Sequence, residues 1–413
     1  MMRRPLLLVA AVLLGAVSAA ACSSMIVSAA ASANGRPMIW KNRDTGAEGN
    51  FLHRVEAPGR IGYVGLFNDA DTLCTDEAWM GVNDAGFAII NTVAYNLAPN
   101  DPAWTDREGF VMARALQSCR SVDDFAALLD SLPRPMGLRT CFGVLDAEGR
   151  GAYFETDDYR YARYDLSDAK EGVMVRTNYA YSGPTVGIET SRPDNDFRSW
   201  GYVRHRDVVD ILGPLIATGS LTPASFVGEA SSPAAVAAFV AGTASADATG
   251  GISRALYNAR TGFDIATTAL TTVADEGEMV PRRSTMASIV IELPRPGEDS
   301  EYSELSEILE YSEPSEAGAR AESTTPGAKG AAPAQIAEGD AAPVIWAILG
   351  YPPVAPTVRA TLDHIPASAD AHPKGAPARS PLCAAATALR DLIITPTTDG
   401  YQINIPILRE CLK

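Results

Sequence analysis

The chain has 413 residues, 46% hydrophobic and 20% charged, a globular composition that excludes wholesale disorder and a bundle of membrane helices. Its net charge of −16 and isoelectric point near 4.7 exclude nucleic acid as the expected partner, because phosphate binding needs a basic face. The length accommodates one large domain or two medium ones.

The N-terminus reads as an export signal, residues 1–21. Arg3 and Arg4 supply the positive region and "PLLLVAAVLLGAV" a short apolar core. Ala19, Ala20 and Ala21 match the small-residue cleavage pattern and leave Cys22 first in the mature chain. The expected location is therefore periplasmic or extracellular. No later stretch approaches ~20 uninterrupted apolar residues, so no transmembrane segment is expected.

The mature region, 22–413, reads as one domain. "SSMIVSAAAS", the turn signal "NGRP" and "MIWKN" read as a β-hairpin that begins directly after Cys22. Residues 81–95 repeat the scheme, with a turn at Asn83–Gly86 followed by a strand. Two helical patterns follow, with Ser121 as the expected N-cap of the second. Residues 139–156 read as a hairpin around "DAEG", "EGVMVRTNYA" as a strand, 198–242 as mostly helical, and 282–293 as a strand.

The segment at about 296–343 departs from this pattern. Glutamate recurs every third residue from Glu301 to Glu316, a step that spirals around a helix instead of marking one face. Between 298 and 322 there are nine acidic residues and one basic, a net of −8, half the formal charge of the chain. With "STTPGAKGAAPAQIAEGDAAP" behind it, the segment reads as a solvated insertion within the domain. "VIWAILGYPPV" then returns to core-like sequence.

Six cysteines occur without a CxxC pair, so neither a zinc site nor a thioredoxin-like motif is expected, and no metal or organic cofactor is implied. Cys383 and Cys411 are the expected pair if any oxidise after export. A cysteine exposed as the first residue carries its own base. An α-amine titrates near about 8 and a free thiol near about 8.5, so the neutral amine can take the thiol proton near neutral pH without a histidine. With an amide substrate such a nucleophile forms an acyl-enzyme thioester, which water releases. The oxyanion on the way needs hydrogen-bond donors, such as an Asn side chain with a backbone N–H. None of His53, His205, His364 and His372 stands in a Cys-His protease motif, and there is no GxSxG or HExxH.

"C-S-S-M-I-V", a Gly turn and "WKNRD" resemble the start of the Ntn-hydrolase families around choloylglycine (bile salt) hydrolase, penicillin V acylase, penicillin acyltransferase and acid ceramidase. "GVNDAGFAIINT", "RTNY" and "PRRSTMASIV" resemble their later motifs in the same order, over roughly 22–295 and again at "IWAILGYPP". The resemblance implies an αββα sandwich of two antiparallel sheets between helical layers. It implies Cys22 as nucleophile and base, and Asp44 as the carboxylate that holds its amine. Asn178 would be the polar residue beside the nucleophile, Arg283 the paired arginine, and Asn91 the oxyanion donor. Lys41 stands where these families usually have arginine; it keeps the charge but not the planar fork. Strand alternation turns Arg43 to the other face from Asp44. Trp79, Tyr95 and Tyr179 are open to two readings, acyl-pocket lining or core and rim.

The implied activity is hydrolysis of the linear C–N amide bond of a small N-acyl substrate, with transfer of the acyl group to another amine as the second reading. Two readings discard the chemistry. Lipidation of Cys22 would make the chain a tethered binding module, although Ala19 stands where lipoprotein signals usually carry Leu. Cleavage elsewhere, for instance after Ala31, would remove Cys22 altogether.

Overall fold

A computed structural model describes residues 22–68, 76–97, 106–183, 201–242, 271–273, 284–297, 342–371, 380–397, 400–404 and 406–407. The first strand, β1 (Ser23–Val27), begins one residue after Cys22 and turns back antiparallel into β2 (Met38–Asp44). This is the expected hairpin. On the far side of β1 lies β10 (Val173–Arg176), and on the far side of β2 lies β12 (Thr285–Glu292), followed by β13 (Val344–Leu349) and β14 (Val358–Thr361). The order β10-β1-β2-β12-β13-β14 forms a six-stranded antiparallel sheet in which β1 and β2 are interior.

The second sheet is an antiparallel meander of seven strands. It runs β3 (Asn50–Val55), β4 (Tyr63–Asn68), β5 (Met80–Asn83), β6 (Ala88–Val93), β7 (Thr140–Leu145), β8 (Gly151–Thr156), β9 (Tyr161–Asp165). The expected turn between β5 and β6 is present. Gly86 sits there at φ 75°, a left-handed conformation that glycine adopts without a Cβ penalty. Three short strands, β11 (Thr271–Val273), β15 (Ile394–Thr397) and β16 (Gly400–Ile403), make a small separate sheet in the order β11-β16-β15.

The two large sheets pack face to face through one apolar core, which includes Ile26, Val64, Val82 and Ile90. The approach is close: a Cβ built on Gly151 of β8 would come within 3.1 Å of Ile26 Cγ2 on β1. The outer face of the seven-stranded sheet is covered by α1 (Glu108–Ser118) and α2 (Val122–Ser131). Ser121 caps α2 as expected, accepting from the Asp124 N–H while the Asp124 carboxylate accepts from the Ser121 N–H. Phe125 of α2 meets Phe142 and Phe154 edge-on at 5.4 and 5.1 Å.

On the other side lie α3 (Tyr202–Ala217), α4 (Pro223–Val227), α5 (Pro233–Val240) and α6 (Pro381–Ile393). The Trp40 ring of β2 stacks at 5.2 Å on Phe226 of α4. The architecture is thus the α+β sandwich, αββα, that the resemblance implies. The acidic segment leaves after β12 and returns into β13, neighbouring strands of one sheet in register Glu292↔Val344; residues 298–341 themselves lie outside the described residues. Cys74, Cys411, Arg282, Arg283 and His372 lie outside them as well, and with Cys411 the expected Cys383–Cys411 pair. Among the described residues no helix is long and apolar enough to cross a membrane.

Candidate functional site

Cys22 stands at the open end of β1, 5% exposed. Its Sγ donates weakly to the Asp44 carbonyl oxygen at 3.9 Å. Alternation along β1 divides the neighbouring side chains between two faces. Ser24 Oγ meets Tyr153 Oη of β8 at 2.9 Å, so its side chain enters the space between the sheets. Ser23 points the opposite way and accepts from Arg204 of α3.

The same alternation on β2 sends Lys41 and Arg43 toward the seven-stranded sheet. Lys41 Nζ donates to Asn91 Oδ1 at 2.5 Å and to the Trp79 carbonyl at 3.0 Å. Arg43 donates to Asn50 Oδ1 at 2.6 Å and lies 5.0 Å from the Trp79 ring centre. Asp44 ends the strand opposite Thr285 of β12, and its Oδ1 accepts a short hydrogen bond from the Thr285 hydroxyl. Burial pushes the Cys22 thiol above its ordinary value. Lys41 and Arg43 pull it back, while the Asp44 carboxylate adds to the rise. Burial in turn lowers Lys41 to about 8, against the opposing pull of Cys22, Glu108 and Asp44.

Asn178 follows the end of β10 and is fully buried. Its Nδ2 donates to the Val93 carbonyl at 2.9 Å, and its backbone carbonyl accepts from the Tyr95 N–H at 3.0 Å. Its Oδ1 accepts from Arg204 Nη2 at 2.6 Å. Nη1 of the same guanidinium donates to the Cys22 carbonyl at 2.8 Å and to Ser23 Oγ at 3.1 Å. One planar fork therefore ties Cys22 to Asn178. The local sequence makes room for it. Gly201, just before α3, has φ 82°, and a Cβ there would lie 2.5 Å from Arg204 Nη2 and 3.0 Å from Thr177 Cβ. Sequence reading missed Arg204. In "YVRHRDVVD" it is one of several charged residues, and nothing in the sequence marks it as the buried one.

Asn91 of β6 lies beside Lys41, and both polar atoms of its amide are engaged: Oδ1 by Lys41, and Nδ2 by Glu108 Oε2 at 2.6 Å. Glu108, the first residue of α1, is 1% exposed. Burial pushes its carboxyl up to about 8, with Asp106 adding to the rise and Asn91, Thr140 and Lys41 opposing it. Glu108 was the second residue missed; in "DREGFVMARAL" it looks like an ordinary helix-start acid.

The structure brings Cys22, Lys41, Asp44, Asn91 and Asn178 into one connected constellation. Arg283, the sixth expected site residue, lies outside the described residues. Of the aromatics, Trp79 borders Lys41 and Arg43, Tyr95 holds the Asn178 carbonyl, and Tyr179 sits in a cluster with Tyr181, Tyr202 and His205. His53 meets Asp370 at 2.9 Å and His205 meets the Tyr181 hydroxyl at 3.1 Å. Among the described residues no group of His, Cys, Asp and Glu has the arrangement of a metal site.

No protein-family model matches the sequence, and no curated protein matches it. Among solved structures, the chain is similar to a Caenorhabditis elegans ortholog of N-acylethanolamine-hydrolyzing acid amidase, with 14% identity and a TM-score of 0.33 over 47% of this chain and 79% of that one. It is similar to a mutant of the conjugated bile acid hydrolase of Clostridium perfringens, with 11% identity and a TM-score of 0.29 over 38% of this chain and 53% of that one. It is also similar to the penicillin V acylase of Agrobacterium tumefaciens, with 16% identity and a TM-score of 0.26 over 37% of this chain and 51% of that one.

Proposed function

We propose that the chain is an exported amidohydrolase whose nucleophile is Cys22, freed as an N-terminal residue by removal of 1–21, and that it cleaves the linear C–N amide bond of a small N-acyl substrate. The observation that carries this reading is the convergence on one buried cysteine of Lys41, Arg43 and Asp44, which act on its thiol, and of the Arg204–Asn178 pair, which holds its carbonyl. A core position with no chemistry to perform does not gather three buried cations.

While residue 21 remains attached, the Cys22 nitrogen is an amide without a basic lone pair. The thiol, raised by burial, then stays protonated and inert. Cleavage supplies a primary amine on the same residue, next to the Asp44 carboxylate that would hold it. The neutral amine takes the thiol proton, and sulfur attacks the substrate carbonyl carbon. The C–S bond forms as the carbonyl π pair moves onto oxygen. The ammonium then returns its proton to the leaving nitrogen as the C–N bond breaks, which leaves a thioester. Water, deprotonated by the same amine, attacks the thioester and expels the thiolate.

Asn91, the expected oxyanion donor, gives one of its two N–H groups to Glu108, and Lys41 gives two of its three to Asn91 and Trp79. Each can therefore offer one N–H to the oxyanion, and Lys41 adds a positive charge. Arg204 and Asn178 hold the Cys22 backbone so that sulfur and amine keep one geometry.

The test is turnover of a panel of N-acyl amides by the secreted protein. Cys22→Ala should abolish it and Cys22→Ser should leave a small residue. An unchanged rate in Cys22→Ala would remove the mechanism.

A further inference from the structure

Glu108 has no part in the bond-making steps above, yet it is a carboxylic acid buried at the edge of the candidate site. It reaches that site through one side chain. Glu108 Oε2 accepts from Asn91 Nδ2 at 2.6 Å, and Asn91 Oδ1 accepts from Lys41 Nζ at 2.5 Å. The amide is thus oriented at both ends. An asparagine whose NH2 is claimed by a carboxyl must present its oxygen to the ammonium, and the reverse orientation would set N–H against N–H.

We infer that Glu108 is a positioning residue, which acts through Asn91 to keep Lys41 charged and aimed beside the Cys22 thiol. The inference rests on the reading of Cys22 as the nucleophile. It also accounts for the departure at position 41. An arginine there would keep its charge at any physiological pH and would need no such support. A lysine in a dry site sheds its proton readily, and burial has lowered Lys41 to about 8. The carboxyl behind Asn91 opposes that loss, because each proton that Glu108 releases makes the ammonium easier to keep.

The other charged and titratable groups facing this pair are few. Cys22, Arg43 and Asp44 act on Lys41 from the six-stranded sheet. Asp106 acts on Glu108 from the segment before α1, and Arg139 acts on Asp106. Cys141 of β7 senses Glu108, and burial holds its thiol far above the ordinary range, so it stays neutral. The Thr140 hydroxyl, which donates to the Thr92 carbonyl at 2.9 Å, is the remaining polar neighbour. None of these groups substitutes for Glu108 as a negative charge in line with Lys41 through Asn91.

The experiment needs no knowledge of the substrate. The rate of Cys22 alkylation by iodoacetamide is followed by peptide mass in the full secreted chain from pH 6 to 9, for wild type, Glu108→Gln, Lys41→Arg and the double variant. Gln in place of Glu108 removes the carboxylate. Lys41 then falls further below its ordinary value and less of it is ammonium at pH 8. Alkylation in Glu108→Gln should therefore match wild type at pH 6 and be severalfold slower at pH 8. In the Lys41→Arg background the same substitution should change nothing, because arginine does not titrate there. Asn91→Ala breaks the chain at its middle and should reproduce the Glu108→Gln profile, which keeps the test open if Glu108→Gln fails to fold.

A loss in Glu108→Gln that is equal at every pH, or one that persists in the Lys41→Arg background, would show a merely structural role and overturn the inference. Coincident profiles in all four proteins would overturn it too. Turnover abolished by Cys22→Ala alongside unchanged Glu108→Gln profiles would sink this inference alone and leave the nucleophile standing.

Discussion

Arg204 offers the sharpest perturbation, because one side chain carries three contacts that join the nucleophile's backbone to Asn178. Replacement by Met keeps the length and the apolar stem but removes hydrogen bonds of 2.8 Å to the Cys22 carbonyl, 3.1 Å to Ser23 Oγ and 2.6 Å to Asn178 Oδ1. Hydrogen bonds from a buried charge are worth about 1.5–3 kcal/mol each. They are not additive, and removing the guanidinium also removes its own desolvation cost. The net loss should be about 3 kcal/mol, a drop of roughly 4 °C in Tm for a chain of this size. Activity should fall further than stability suggests. The thiol is aimed by the backbone that Arg204 holds, and a misplacement near 1 Å costs about 100-fold. Arg204→Lys keeps the charge but lacks the planar fork that spans Asn178 Oδ1 and the Cys22 carbonyl, so it should fall between wild type and Arg204→Met. The assay is N-acyl amide turnover beside thermal unfolding on the same preparations. Turnover of Arg204→Met within twofold of wild type, in a protein that has lost stability, would refute the reasoning that this arginine aims the nucleophile.

Asp44→Asn keeps an oxygen for the Thr285 hydroxyl, so unfolding by urea should shift by less than about 1 kcal/mol, while loss of the carboxylate beside the amine should lower turnover by tenfold or more. Equal losses in both would make Asp44 structural. The buried pair also sets a pH dependence of stability. Folded Glu108 keeps its proton up to about 8 while the unfolded chain releases it near 4.5, so this group's contribution is present below 4.5 and falls as pH rises to about 8. Lys41 has the opposite sense: the unfolded chain holds its proton to 10.5 and the folded one only to about 8, so its contribution rises from about 8 to 10.5. Glu108→Gln should therefore flatten the fall between pH 4.5 and 8 in urea midpoints and move the onset of the Lys41-linked rise below 8, since the lost carboxylate no longer supports that ammonium. Parallel profiles for the two proteins would contradict the placement of that carboxyl.

The parts of this architecture legible in the sequence are those with a local cause. The β1–β2 hairpin follows from a turn signal between extended runs, the Gly86 turn from a residue that alone tolerates its backbone, and the start of α2 from Ser121 and Asp124. The constellation of Cys22, Lys41, Asp44, Asn91 and Asn178 was reachable because motif order stands in for distance. What stayed hidden depends on packing between distant segments. The strand "NFLHRV" carries His53 and Arg54, and only its pairing with β4 makes it a strand. The helical reading of 198–242 resolves into α3, α4 and α5, with Gly219 and Gly228 in positive-φ turns between them. Arg204 and Glu108 carry the charges of ordinary surface residues. Nothing short of the folded chain reveals that each is buried against a group far away in sequence, Cys22 and Asn91 respectively.

The most direct measurement is intact mass and N-terminal sequencing of the protein secreted by cells that express the whole chain. The secreted polypeptide should begin at Cys22 with a free α-amine and a free thiol. A diacylglycerol adduct on that sulfur, a blocked amine, or a first residue at any other position would contradict it.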